Sequence, residues 1–216
     1  MKEITQGKRK KVWLILLLFA ACFVIYALWN CFGLPLISDG IISTLIDSVL
    51  IKALIWILPV MLFIKEEHKF KNMFRGRFPV LICIIFICAT AAFLYTIRIL
   101  NGFVNKHVIF DPMFIVLSLS AGVIEELAFR GGYFHLLVEQ IGFWPAAVIN
   151  GVMFTLMHYP GLIVGNFSGL ISLRTLLIFS MGIAFCFMYH KWKNLVLNMT
   201  VHTVWDILSY LFCLAG

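Results

Sequence analysis

Long uninterrupted apolar runs constrain this chain more than any other feature. Val12 to Trp29 is free of charged residues, and Ile41 to Ile64, Val80 to Ile97 and Leu195 to Leu214 are runs of the same kind. A segment of ~20 apolar residues is the length an α-helix needs to cross the hydrocarbon core of a bilayer, where every backbone N–H and C=O must be bonded within the segment. With 62% hydrophobic residues, 12% charged ones and a mean hydropathy of +1.02, the remainder of the chain offers no soluble domain to balance those runs. The expected fold is therefore all-α: a polytopic transmembrane bundle of about seven spans, six to eight, forming one integral membrane domain over residues 1–216.

Charge sets the expected topology. Ten of the 17 Lys and Arg residues lie in MKEITQGKRKK and KEEHKFKNMFRGR, which flank apolar runs. The positive-inside rule accounts for the net charge of +7, so nucleic acid is not an expected partner, and the N-terminus is placed in the cytoplasm. The first run is longer than a signal-peptide core and has no clear cleavage site, so it reads as a retained anchor. PLISDG and NGFVNKHVIF read as external loops, and HKWK as another cytoplasmic end. The six cysteines form neither CxxC nor Cys/His clusters and read as small buried residues.

The fourth segment begins with Asp111 as N-cap and Pro112 at the first helical position, and runs to about Glu139 before Gly142 ends it. Phe143 to Tyr159 is the fifth span, Leu173 to Tyr189 the sixth and Leu195 to Leu214 the seventh.

An ionisable group within such a helix costs roughly 2.5–3.5 kcal/mol on insertion scales, so each needs a partner or a purpose. The group comprises Asp47, Lys52, Glu125, Glu126, Arg130, His158, His202 and Asp206. Glu126 and Arg130 share a helical face and are expected to pair, giving structural support. Glu125 has no such partner on its own helix, which suits a general base or acid. Asn198, His202 and Asp206 recur every four residues as a polar stripe that either holds helices together or faces a site. Asp47 and Lys52, five apart, are off-register for a tight pair and read as structural.

A carboxylate and two histidines on three helices can hydrolyse a peptide bond inside the membrane by two chemistries. A glutamate and a histidine can deprotonate water while a second histidine binds the oxyanion. The same groups, Glu125, His158, His202 and Asp206, can instead hold a divalent metal such as zinc that activates the water. Neither HExxH nor a Gly-x-Ser-x-Gly elbow occurs.

These residues carry a resemblance. EELAFR, FTLMH and HTVWD, in that order, resemble the EExxxR, FxxxH and HxxxN/D motifs of the CPBP intramembrane proteases, which include CAAX prenyl endopeptidases and bacterial bacteriocin-processing, immunity-linked or abortive-infection-type proteins. The resemblance implies a polar cavity within the bundle and a motif-bearing core at about 111–214. It implies that Glu125 and His158 activate water, that His202 and Asp206 form the stabilising side, and that Glu126 and Arg130 hold the first motif. Asp206 stands where the prenyl endopeptidases have Asn, and an ionised Asp cannot donate to an oxyanion.

The implied substrate is a hydrophobic or lipidated peptide met in the lipid bilayer, and the expected location is a bacterial plasma membrane. A non-catalytic bacteriocin-immunity or scaffold protein using the same cavity is the alternative, and an ion or small-molecule transporter is a third class that the lack of repeated halves disfavours.

Overall fold

The computed structural model describes residues 2–37, 40–64, 72–100, 111–160 and 173–214. All of the regular elements among them are helical. In chain order they are α1 (Gln6–Leu36), α2 (Ile41–Phe63), α3 (Val80–Leu100), α4 (Pro112–Ile141), α5 (Phe143–Met157), α6 (Leu173–Trp192) and α7 (Leu195–Ser209). Six are long and apolar enough to cross a membrane, α6 from Arg174 and α7 as far as Phe212.

The fifth is shorter than the sequence suggested. With 15 residues, α5 extends about 22 Å at 1.5 Å per residue, less than the hydrocarbon core. It ends at Met157 because the chain turns at His158, before Pro160. The external loop expected at NGFVNKHVIF, most of PGLIVGNFSG, and Lys65, Lys69 and Lys71 lie outside the described residues.

Local chemistry explains the element boundaries. The Asp111 side chain accepts from the Met113 N–H at 2.9 Å and Pro112 opens the helix, as the sequence predicts. Gly142, at φ 79°, separates α4 from α5 in a conformation that only glycine adopts without strain. Asn194 caps α7 by accepting from the Leu197 N–H at 3.2 Å. That start is pinned from outside: Leu195 N–H donates to the Met73 carbonyl (2.8 Å), Asn194 Nδ2 to the Gly76 carbonyl (2.9 Å) and Gly76 N–H to the Lys193 carbonyl (3.0 Å).

Two helices depart from α geometry where they meet the polar residues. In α2, π-helical turns occupy Ile46–Ile51 and Ala53–Ile57, on either side of Lys52. In α4 the α-helical part ends at Glu126, and Leu127–Phe134 is π-helical before the α form resumes at His135. Such i→i+5 segments occur frequently at functional sites.

The interior is aromatic. Phe19 of α1, Trp56 of α2 and Phe129 and Tyr133 of α4 form one cluster, with the Phe19–Trp56 and Trp56–Phe129 centroids each 5.6 Å apart. The opposite faces carry exposed Trp13, Leu17, Leu62, Leu81 and Ile84, the side a bilayer covers. Among the described cysteines, Cys22, Cys83 and Cys186 are buried and Cys31 and Cys88 exposed, and none is in a disulfide.

Candidate active site

The polar residues of four helices converge at the middle of α4. Helix α4 packs closely on α7, and α5 on α6. The approach of α4 to α7 depends on Gly122: a Cβ there would collide with the Thr203 hydroxyl and lie 3.0 Å from the Met199 carbonyl oxygen.

Glu126 is fully buried and is the hub of the support network. Its Oε1 accepts from Arg130 Nη1 at 2.8 Å and from His202 Nδ1 at 2.9 Å, and its Oε2 from Asn198 Nδ2 at 3.1 Å. Arg130, also fully buried, donates from Nη2 to the Gly182 carbonyl (3.1 Å) and lies over the Phe154 ring, 4.2 Å from its centroid. The pair expected from the sequence thus forms, although it spans a π-helical segment rather than a regular α-turn. It does more than steady one helix, because it joins α4 to α5, α6 and α7. A buried charge pair is tolerated when its remaining hydrogen-bonding capacity is met in this way.

Glu126 also fixes the face that His202 presents. With Nδ1 committed to Glu126, the Nε2 of His202 points to Glu125 Oε2 and to Asp206 Oδ2, 3.7 Å from each. His158 is arranged in the same sense: Nδ1 donates to the Phe154 carbonyl at 2.8 Å, which leaves Nε2 3.8 Å from Glu125 Oε2. Glu125, 3% exposed, therefore lies between the free nitrogens of both histidines, and its Oε2 has no hydrogen-bond partner. Each gap is too long for a direct hydrogen bond and short enough for a shared water or substrate atom.

The sequence reading of Glu125 as unpaired needs correction. Lys52 of α2 reaches its Oε1 at 2.8 Å. Nor do Asp47 and Lys52 depend on each other: Asp47 accepts from Trp29 Nε1 at 2.7 Å, tying α2 to α1. A lysine alone in an apolar helix was the signal, since a buried cation requires an anion, but nothing in the sequence said which. Lys52 and Asp206 line a cavity of about 170 Å³ with Ser48, Phe114, Leu117, Ser118 and Ala121, the polar cavity expected within the bundle.

Asn150 was not anticipated. Its Nδ2 donates to the Phe129 carbonyl at 3.0 Å, and its Oδ1 accepts from Cys186 Sγ at 3.2 Å. It thereby satisfies a backbone oxygen of the π-helical segment from the neighbouring helix.

The donor set does not fit a resident metal. Among the described residues no group of three or more His, Cys, Asp or Glu side chains could hold an ion. Tetrahedral zinc with bonds of 2.0–2.1 Å needs donors about 3.4 Å apart. Here Glu125 stands 3.7 and 3.8 Å from the histidine nitrogens, and the Lys52 ammonium already holds its other oxygen.

A carboxylate and two oriented imidazoles, enclosed by apolar membrane-crossing helices, define the class: integral membrane proteins of the protease type. Residues 107–208 match the family model described as type II CAAX prenyl endopeptidase Rce1-like, and this motif-bearing segment belongs to the CPBP family of membrane proteases. Among curated proteins, the UPF0177 protein YvdC of Lactococcus lactis subsp. lactis (strain IL1403) is 28% identical over 109 residues, 50% of this chain. The match spans 38% of that relative's length. No solved structure matches.

Proposed function

We propose that this protein is an intramembrane endopeptidase that hydrolyses a peptide bond in a hydrophobic or lipidated peptide, using water activated by Glu125 and His158. The observation that carries the reading is the buried, unbonded Oε2 of Glu125, flanked by the Nε2 atoms of His158 and His202. A water held there donates one proton to Glu125, with His158 Nε2 as its second acceptor, while its oxygen attacks the peptide carbonyl carbon. His202 can donate to the resulting oxyanion from Nε2 only when doubly protonated, and carboxylates of Glu125, Glu126 and Asp206 surround it to balance that charge. Collapse of the tetrahedral intermediate breaks the C–N bond, and the proton taken by Glu125 passes to the departing amine. In this reading Asp206 orients His202 and faces the cavity, so it need not donate to the oxyanion. The proposed setting is a bacterial plasma membrane with the N-terminus in the cytoplasm.

The test is peptide-library cleavage by the purified full chain in liposomes. Glu125→Ala and His158→Ala should each abolish cleavage while thermal unfolding remains cooperative. Undiminished cleavage by Glu125→Ala refutes the proposal. A second reading, a non-catalytic immunity or scaffold protein, draws on the charge balance of the cluster, in which Lys52 and Arg130 neutralise Glu125 and Glu126. Biological protection that persists after Glu125, His158 and His202 are all replaced by Ala would favour it.

A further inference from the structure

We propose that Lys52 is a positioning residue that makes Glu125 a one-sided base. It ties Oε1 down from α2, keeps the carboxylate charged, and leaves Oε2 as the only oxygen able to take a proton. The proposal deepens the protease reading, on which its kinetic part rests, but the pairing can be tested without any cleavage.

Glu125 and Glu126 are adjacent in sequence yet treated oppositely. Both oxygens of Glu126 are engaged, by Arg130, His202 and Asn198. Only one oxygen of Glu125 is engaged, by Lys52. A buried carboxylate oxygen without a partner is costly in a purely structural network, which would satisfy it. It is expected where a site holds a group ready for water or substrate.

Lys52 is also placed to act locally. It lies between the two π-helical turns of α2 and lines the 170 Å³ cavity opposite Asp206. The charged and titratable groups facing Glu125 come from every helix around it: Lys52 from α2, Tyr26 from α1, His158 beyond α5, and His202 and Asp206 from α7. Among these Lys52 alone makes a direct hydrogen bond to Glu125, and it carries a positive charge at neutral pH by its ordinary basicity. Removing it leaves a buried carboxylate beside only the two imidazoles, and such a group is neutralised rather than kept charged.

The experiment uses the full chain in lipid nanodiscs at neutral pH. Infrared difference spectra against Glu125→Gln isolate the Glu125 signal, read in wild type, Lys52→Met, Lys52→Gln and Lys52→Arg. A carboxylate band in wild type and Lys52→Arg, replaced by a carboxylic-acid band in Lys52→Met and Lys52→Gln, is the expected result. An unchanged carboxylate band in both neutral variants overturns the proposal, whether or not any peptide is cut. Kinetics with the library peptide that wild type cleaves fastest should show kcat falling on the order of 10²-fold in Lys52→Met, with KM nearly unchanged and recovery in Lys52→Arg. A loss confined to KM would instead make Lys52 a substrate contact and overturn the positioning role. Failure of wild type to cut any peptide would count against the protease reading, while the infrared bands would still decide the Lys52–Glu125 pairing.

Discussion

Replacing Arg130 by Met should be among the most damaging single changes in the protein, and the structure indicates how much. The substitution removes the 2.8 Å bond to Glu126, the 3.1 Å bond to the Gly182 carbonyl and the cation–π contact with Phe154. It also leaves the Glu126 charge buried, with His202 and Asn198 as its remaining donors. Breaking a buried ion pair from one side costs about 3–5 kcal/mol, largely through the uncompensated charge left behind. Glu126→Gln should cost a similar amount for the mirror-image reason, since the Arg130 cation is then stranded. The double variant strands neither charge, so it should be less destabilised than the sum of the two by at least about 2 kcal/mol. Reversible unfolding in mixed lipid–SDS micelles, followed by tryptophan fluorescence, measures all four corners of this cycle. Additive losses, with coupling below about 0.5 kcal/mol, would refute the view that the two charges are buried for each other.

Two other outcomes follow from the geometry. Gly122→Leu forces a side chain against Thr203 and the Met199 carbonyl, so α4 and α7 must separate. It should abolish cleavage and lower the unfolding temperature, whereas Gly7→Leu, which meets nothing within 4 Å, should do neither. Asp206→Asn should retain cleavage within about tenfold, because Asn keeps the side-chain shape and an acceptor toward His202, whereas Asp206→Leu should lose it, as read by initial rates on the same peptide.

The sequence made part of this site legible, and the reason lies in what periodicity can encode. Asp111, Pro112 and Gly142 announced the ends of α4 through backbone chemistry that acts over a few residues. Glu126 and Arg130 announced each other through a spacing of four. The stripe of Asn198, His202 and Asp206 announced a polar face, and two of its members do meet Glu126. What remained hidden involves partners far apart in the chain. Lys52 and Glu125 are 73 residues apart, and their meeting depends on how α2 is rotated against α4. Asn150 and the Phe129 carbonyl are hidden for a second reason: the acceptor is backbone, and a change from α to π winding leaves no composition signal. The short fifth helix was overestimated because Met157, His158 and Tyr159 continue its apolar run past the point where the chain turns.

The π-helical winding of α4 has a consequence for how this chain can evolve. Each residue of a regular helix advances the facing direction by 100°, so removing one residue between Leu127 and Phe134 would let the segment relax to ordinary winding while turning all that follows. Tyr133, Phe134 and Leu137, fully buried, would swing away from the core, and Gly132 would lose its close approach to Val60. Substitutions can be absorbed one at a time there, but a gain or loss of a single codon cannot. The eight residues after Glu126 therefore act as a ruler, and their number is as much a part of the site as the two glutamates that precede them.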